Sequence, residues 1–270
     1  MAHRRNNEIL ARYAVPLERF AGPAPLDGWS RLAANSAFAS IVHNPVWLGA
    51  MMQHLGTGRK SVHLVRAGNK ENPVAIAALS KTGIPHILPG HSVVSTWDCG
   101  FMMSGMPLLE RGDPEGALVA LIEEAQRQTG ASAILLRKVP DYPKLAAWLG
   151  KNSIATAIFA PHRRAALSCT GSYDDWFEGN FSRKRRKEYR RLRNRLAETG
   201  KLQSISLAPG DDIERWVDEF AVLEASGWKG KRGTAVACNP AKVIFLKQAF
   251  AALREKNQLR LWKITLDDRP

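Results

Sequence analysis

Apolar and polar positions along this chain recur with two periods, and the switches between them mark out helices and strands. Residues 29–42 and 46–55 carry apolar side chains at helical spacing. The first stretch stops at Asn44-Pro45, because the residue before a proline is pushed out of the helical region. Residues 61–67 and 73–80 alternate with period two, like strands, around the turn-rich GNKEN. The Gly- and Pro-containing stretch 82–109 reads as loop with short strands. Asp113 before Pro114 opens a helix over 114–129, with an N-cap followed by proline at the first helical position. A strand over 132–139, a helix over 142–151 and a strand over 154–159 complete a mixed pattern that ends near Pro161. Residues 1–28, with Pro16, Pro23 and Pro25, read as an irregular lead-in.

A second half follows. It opens with a short helix over 173–179 and a basic helix beyond Ser182, then a strand over 202–207. An amphipathic helix over 211–226 has Asp211 or Asp212 as cap, places Ile213, Trp216, Val217, Phe220 and Leu223 on one face, and is stopped by Gly227. The loop GWKGKRGTAVAC leads to a helix opened by Asn239-Pro240 and running to about Lys256. A strand over 259–266 and the turn LDDRP come last. The expected fold class is α+β, divided into residues 1–165 and 166–270. With no strand after it, 259–266 leaves an open edge, so the second half reads as incomplete. Pairing of 259–266 with an earlier strand is the weaker alternative.

Composition narrows the classes. Of 270 residues 45% are hydrophobic and 24% charged, which suits a chain with a core and excludes general disorder or collagen-like repeats. No apolar run approaches the ~18–20 residues that cross a bilayer, and the N-terminus does not read as a secretory signal. Cys99, Cys169 and Cys238 are odd in number and far apart, which argues against disulfides or zinc and for a reducing, cytoplasmic setting. The seven histidines show no metal-ligand spacing, and no nucleophile elbow or phosphate-loop motif is present.

Charge is the unusual feature. Thirty-nine Lys+Arg against 25 Asp+Glu give +14, which favours anionic partners. Arg183 to Arg195 hold nine basic residues and one acidic, so this window supplies +8 of the excess. Phe181, Tyr189, Leu192 and Leu196 form its apolar stripe, expected to be buried, with Ser182 as N-cap and Gly200 as stop. Cations in the first turn oppose the helix dipole and call for an anionic counterpart. Downstream, the string 227–235, GWKGKRGTA, combines three glycines, three cations and the flat surface of Trp228. With the N–H donors of the next helix it would suit a ligand with phosphates and an extended apolar arm. A plain helix-connecting loop with surface cations fits that composition equally well.

Taken together, SRKRRKEYRRLRNRLAETGKL (182–202) and LEASGWKGKRGTA (223–235) resemble a bacterial acetyltransferase family described as CelD-like, related to FemAB-type enzymes and linked to exopolysaccharide synthesis. Asn44-Pro45, the hairpin around 68–73 and the Trp97-Asp98 pair are similar to weaker family features. The resemblance implies a tandem GNAT-like fold, its second half incomplete, and acyl transfer from acetyl-CoA or another acyl-CoA to an amine, without a metal. It implies a donor site at Trp228, Lys229, Gly230, Arg232, Gly233 and Thr234, and a substrate-binding role for Arg183, Lys184, Arg186 and Arg190. It assigns no catalytic base; Glu224 is the carboxylate nearest the motif. The family's R/Q-x-x-G-x-G/A donor turn is absent, since aligning Gly233 as its first glycine puts Gly230 where Arg or Gln belongs. The rival readings are a nucleic-acid-binding protein using the arginine-rich helix, and a scaffold docking acidic membrane headgroups.

Overall fold

The computed structural model describes residues 23–38, 41–56, 62–69, 71–82, 92–161, 163–165, 167 and 171–270. Helices α1 (Pro23–Ala34) and α2 (Pro45–Leu55) precede the hairpin β1 (Val62–Gly68) and β2 (Pro73–Thr82). Strands β3 (Val93–Thr96) and β4 (Leu108–Leu109), helix α3 (Pro114–Thr129), strand β5 (Ala133–Leu135) and helix α4 (Tyr142–Lys151) complete the first part. Then come α5 (Tyr173–Asn180), α6 (Arg183–Glu198), β6 (Leu202–Ser206), α7 (Ile213–Ser226), the single turn α8 (Trp228–Lys231), α9 (Pro240–Glu255) and β7 (Trp262–Leu266). This is a mixed arrangement of helices and sheets, in keeping with the expected α+β class.

The main sheet runs β1-β2-β3-β5, with β4 also on β2. β2 is buried on both faces because its alternate residues feed two cores. Ile76 and Ala78 face one, and Ala75, Ala77 and Leu79 face the other. The second core is closed by Leu118, Leu121 and Ala125 of α3 and by Leu145 and Leu149 of α4. The first takes Trp47, Leu48 and Met51 from α2, Ile213 and Val217 from α7, and Phe245, Leu246, Ala249 and Leu253 from α9. Side chains from both sides of the 165/166 division therefore share one core.

Several elements differ from expectation for local reasons. The 29–42 helix ends at Ala34, because Ser36 leaves it to bridge Glu110, its hydroxyl donating to the Leu109 carbonyl. Asn44-Pro45 opens α2 instead of merely stopping a helix: the Asn44 side chain accepts from the Val46 N–H. The strand expected over 132–139 shortens to β5, since Lys138 turns the chain at φ +54 and the Arg137 N–H leaves the ladder for Thr96 Oγ1. Residues 154–159 form no strand; Ile158 and Phe159 are exposed and have no ladder neighbour among the described residues. The lead-in 1–22, residues 83–91 and Cys169 lie outside the described residues.

The last strand corrects the reading of an unpaired edge. β7 pairs antiparallel with β6, Leu202 opposite Leu266 and Ser206 opposite Trp262. The LDDRP turn has Asp267 and Asp268 both at positive φ, as a tight hairpin turn requires, and Asp267 Oδ1 accepts from the Lys201 N–H at 2.8 Å. One face of this small sheet rests on α7 through Lys263, which pairs with Glu219 at 2.5 Å and lies over the Trp216 ring. The other face leaves Trp262 and Ile264 exposed.

Candidate functional site

Helix α6 has the expected start, the Ser182 hydroxyl accepting from the Arg185 N–H. Its stripe is not buried, however. Tyr189, Leu192 and Leu196 are 39%, 49% and 43% exposed, and the helix buries no residue. Tyr189 meets rings from the preceding turn and helix, with Phe181 and Phe177 5.5 and 6.3 Å away. The cations divide into engaged and free. Arg186 donates to the Glu178 and Phe181 carbonyls, closing the end of α5, while Arg191 pairs with Glu188 and Arg185 reaches the Tyr189 hydroxyl. The side chains of Arg183, Lys184, Lys187, Arg190 and Arg193 make no hydrogen bond or ion pair to another described residue.

The 227–236 segment is ordered by Glu224. Its Oε1 pairs with Lys229 Nζ at 2.5 Å, and its Oε2 accepts from the Val236 N–H at 2.7 Å. Burial pushes this carboxyl up, but the Lys229 and Val236 bonds and the charges of Lys229 and Lys242 outweigh it, so its pKa sits below the ordinary glutamate value. A carboxylate bonded at both oxygens and held ionised is poorly matched to proton abstraction near neutrality. Glu224 therefore acts as the clasp of the loop. Gly230 is required by close approach, since a Cβ there would lie 1.8 Å from the Ala225 carbonyl oxygen. Gly233 sits at φ +67 beside open space.

The main-chain donors of residues 231–236 are already used. The N–H groups of Lys231, Arg232, Gly233, Thr234 and Ala235 donate to carbonyls within the segment, and Val236 to Glu224. At the start of α9, Asn239 accepts from Ala241 by its side chain and from Lys242 by its carbonyl. Of its side chains, the loop presents outward Trp228, 62% exposed, with the Arg232 guanidinium 5.2 Å from its ring centroid. Trp228, Lys229, Gly230, Arg232, Gly233 and Thr234 thus lie together on one short turn. No hydrogen bond or ion pair joins them to Arg183, Lys184, Arg186 or Arg190 among the described residues.

Two features escaped the sequence pattern. Lys138 Nζ pairs with Asp98 at 2.5 Å and donates to the Met102 carbonyl, fixing the Trp97-Asp98 segment across 40 residues of chain. In α5, Tyr173, Trp176 and Phe177 join Phe181 and Tyr189 in a run of ring contacts between 5.2 and 6.3 Å. Their spacing of three and four residues was the available signal. Cys99 and Cys238 are free thiols, and among the described residues no group of three His, Cys, Asp or Glu side chains is placed to hold a metal ion. Among them, too, no helix is long and apolar enough to cross a membrane.

This stretch, from the basic helix through the clasped loop to the final hairpin, has a recognisable sequence. Residues 183–270 match the family model described as an acetyltransferase (GNAT) domain. The match covers about a third of the chain and spans α6 to β7. Curated proteins and solved structures yield no match. A GNAT-type domain supports acyl transfer as the general class of chemistry and gives the nucleic-acid alternative no support.

Proposed function

We propose that this protein is an N-acyltransferase, moving an acetyl or other acyl group from an acyl-CoA to an amine. The observation that carries the reading is the GNAT family match over residues 183–270. The CelD-like resemblance, with its tandem fold and its link to exopolysaccharide synthesis, is a finer form of the same proposal. The reaction is direct. The neutral amine nitrogen attacks the thioester carbonyl, the C–S bond breaks to expel the CoA thiolate, and the one proton that the nitrogen gives up to a base is returned to that sulfur, releasing CoA as the thiol. Glu224, clasped and ionised, is not our candidate for that base.

On this reading the donor lies against the 228–234 turn. The main-chain donors of residues 231–236 are engaged, the cationic side chains of Lys231 and Arg232 are there to meet the phosphates, and Trp228 offers its exposed face to the apolar arm. Lys229 is tied to Glu224, and Gly230, Gly233 and Thr234 shape the turn. Arg183, Lys184 and Arg190 keep free heads for an anionic group, whereas Arg186 is occupied by α5. Titration calorimetry with acetyl-CoA tests the donor site. The unaltered chain is expected to bind, and Trp228→Ala to weaken binding about tenfold, as for loss of about 1.4 kcal/mol of stacking, with no change in melting temperature. Equal binding by both proteins would remove the donor from this turn.

A further inference from the structure

We propose that the α5–α6 helical hairpin is a docking surface for anionic lipid membranes. Along α6, Tyr189, Leu192 and Leu196 lie on one side, where Arg185, one turn earlier, donates to the Tyr189 hydroxyl; Arg193 borders that side, and Arg183, Lys184, Lys187, Arg190 and Arg195 occupy the flanks and back. The apolar face continues onto α5 through a row of rings, Phe181, Phe177, Trp176 and Tyr173. Neither helix buries a residue, and Tyr173 is among the most exposed aromatic side chains of the protein.

An exposed helix with a cationic face and an apolar face rich in rings and leucines is the pattern of helices that lie in a membrane interface. Charge complementarity selects the occupant. Five cations of α6 lack a partner among the described residues, and long basic side chains flanking an apolar stripe reach anionic headgroups while the stripe enters the acyl boundary. The acids of α5, Asp174, Asp175 and Glu178, fall on the side of that helix away from its rings. A nucleic acid would satisfy the cations but leave Leu192 and Leu196 uncovered, since aliphatic side chains offer bases no stacking partner. A second copy would bring a second +8 segment against the first.

Co-sedimentation of the full chain with phosphatidylcholine vesicles, with and without about one-third phosphatidylglycerol, tests the proposal. Binding is expected only to the anionic vesicles and is expected to fall in high salt. Replacing Lys187, Arg193 and Arg195 together by Gln should weaken it about 100-fold, roughly fivefold per charge. Leu192→Gln with Leu196→Gln should weaken it about tenfold. All five residues are exposed, so circular dichroism and melting temperature should match the parent. Failure to bind anionic vesicles overturns the proposal. So does undiminished vesicle binding by the leucine pair, or equal competition by a single-stranded RNA oligonucleotide, either of which makes α6 a general polyanion site.

Discussion

Phe245→Ala is expected to lower the unfolding free energy by about 3–5 kcal/mol. Phe245 is fully buried on α9 and meets Trp47 of α2 edge-on at 4.9 Å and Phe101 at 5.0 Å. Truncating it empties the point where an element from the last third of the chain enters the core of the first half. The loss combines transfer of the ring to water, an unfilled cavity and the lost ring contacts. Urea unfolding followed by tryptophan fluorescence and by circular dichroism should show one transition shifted as a whole, because both halves draw on that core. Phe220, on α7 but exposed, is the control, and Phe220→Ala should stay within about 1 kcal/mol. A loss below about 1 kcal/mol for Phe245→Ala, or two transitions of which one is unmoved, would show that the halves fold separately.

Mild acid should destabilise the protein through His43. This side chain is fully buried, and burial drives its pKa down to about 4 from 6.5, partly offset by a polar contact with the Met106 backbone. Its folded pKa is depressed, so the unfolded chain takes up the proton first. Stability is whole above about pH 6.5 and is lost as the pH falls from there towards 4. The expected loss from this one group is about 2 kcal/mol by pH 5 and about 3 by pH 4. Carboxylates held low by partners, such as Glu124 at about 2, contribute their own loss only at lower pH, once the unfolded carboxylates begin to titrate. His63 is also lowered, by burial and by the charge of Lys81, and its effect cancels when parent and His43→Leu are compared. The variant should therefore show a fall between pH 7.5 and 5 that is smaller than the parent's by about 2 kcal/mol. Equal slopes for the two proteins would mean that His43 titrates normally.

Local chemistry was legible wherever it acts over a few residues. Asp113 with Pro114 opens α3, and Gly130 closes it in the left-handed region. Asp212 caps α7 and Asn239 caps α9, each with its own side chain as acceptor. Ladder neighbours were not legible. Residues 154–159 alternate as a strand should, yet no sheet edge adjoins them among the described residues, whereas 262–266 found β6 across 60 residues of chain. Burial of a helical stripe is also a tertiary fact. Phe220 and Leu223 follow the same period as Trp216 and Val217 but stand outside the core, as do Leu192 and Leu196. Composition suggested that the 227–235 loop, with the N–H donors of the next helix, would suit an anion. Composition does not show how donors are spent: Asn239 takes those of Ala241 and Lys242, and Glu224 with local carbonyls takes those of residues 231–236.

The central claim is that residues 183–270 belong to an acyl-transferring protein, and CoA release measures it most directly. The full chain incubated with acetyl-CoA and a panel of primary amines should liberate free thiol in proportion to acylated amine, and Trp228→Ala should reduce the rate about tenfold at limiting donor. Thiol release that stays at the buffer rate across the panel, while calorimetry shows no acetyl-CoA binding, would contradict the account.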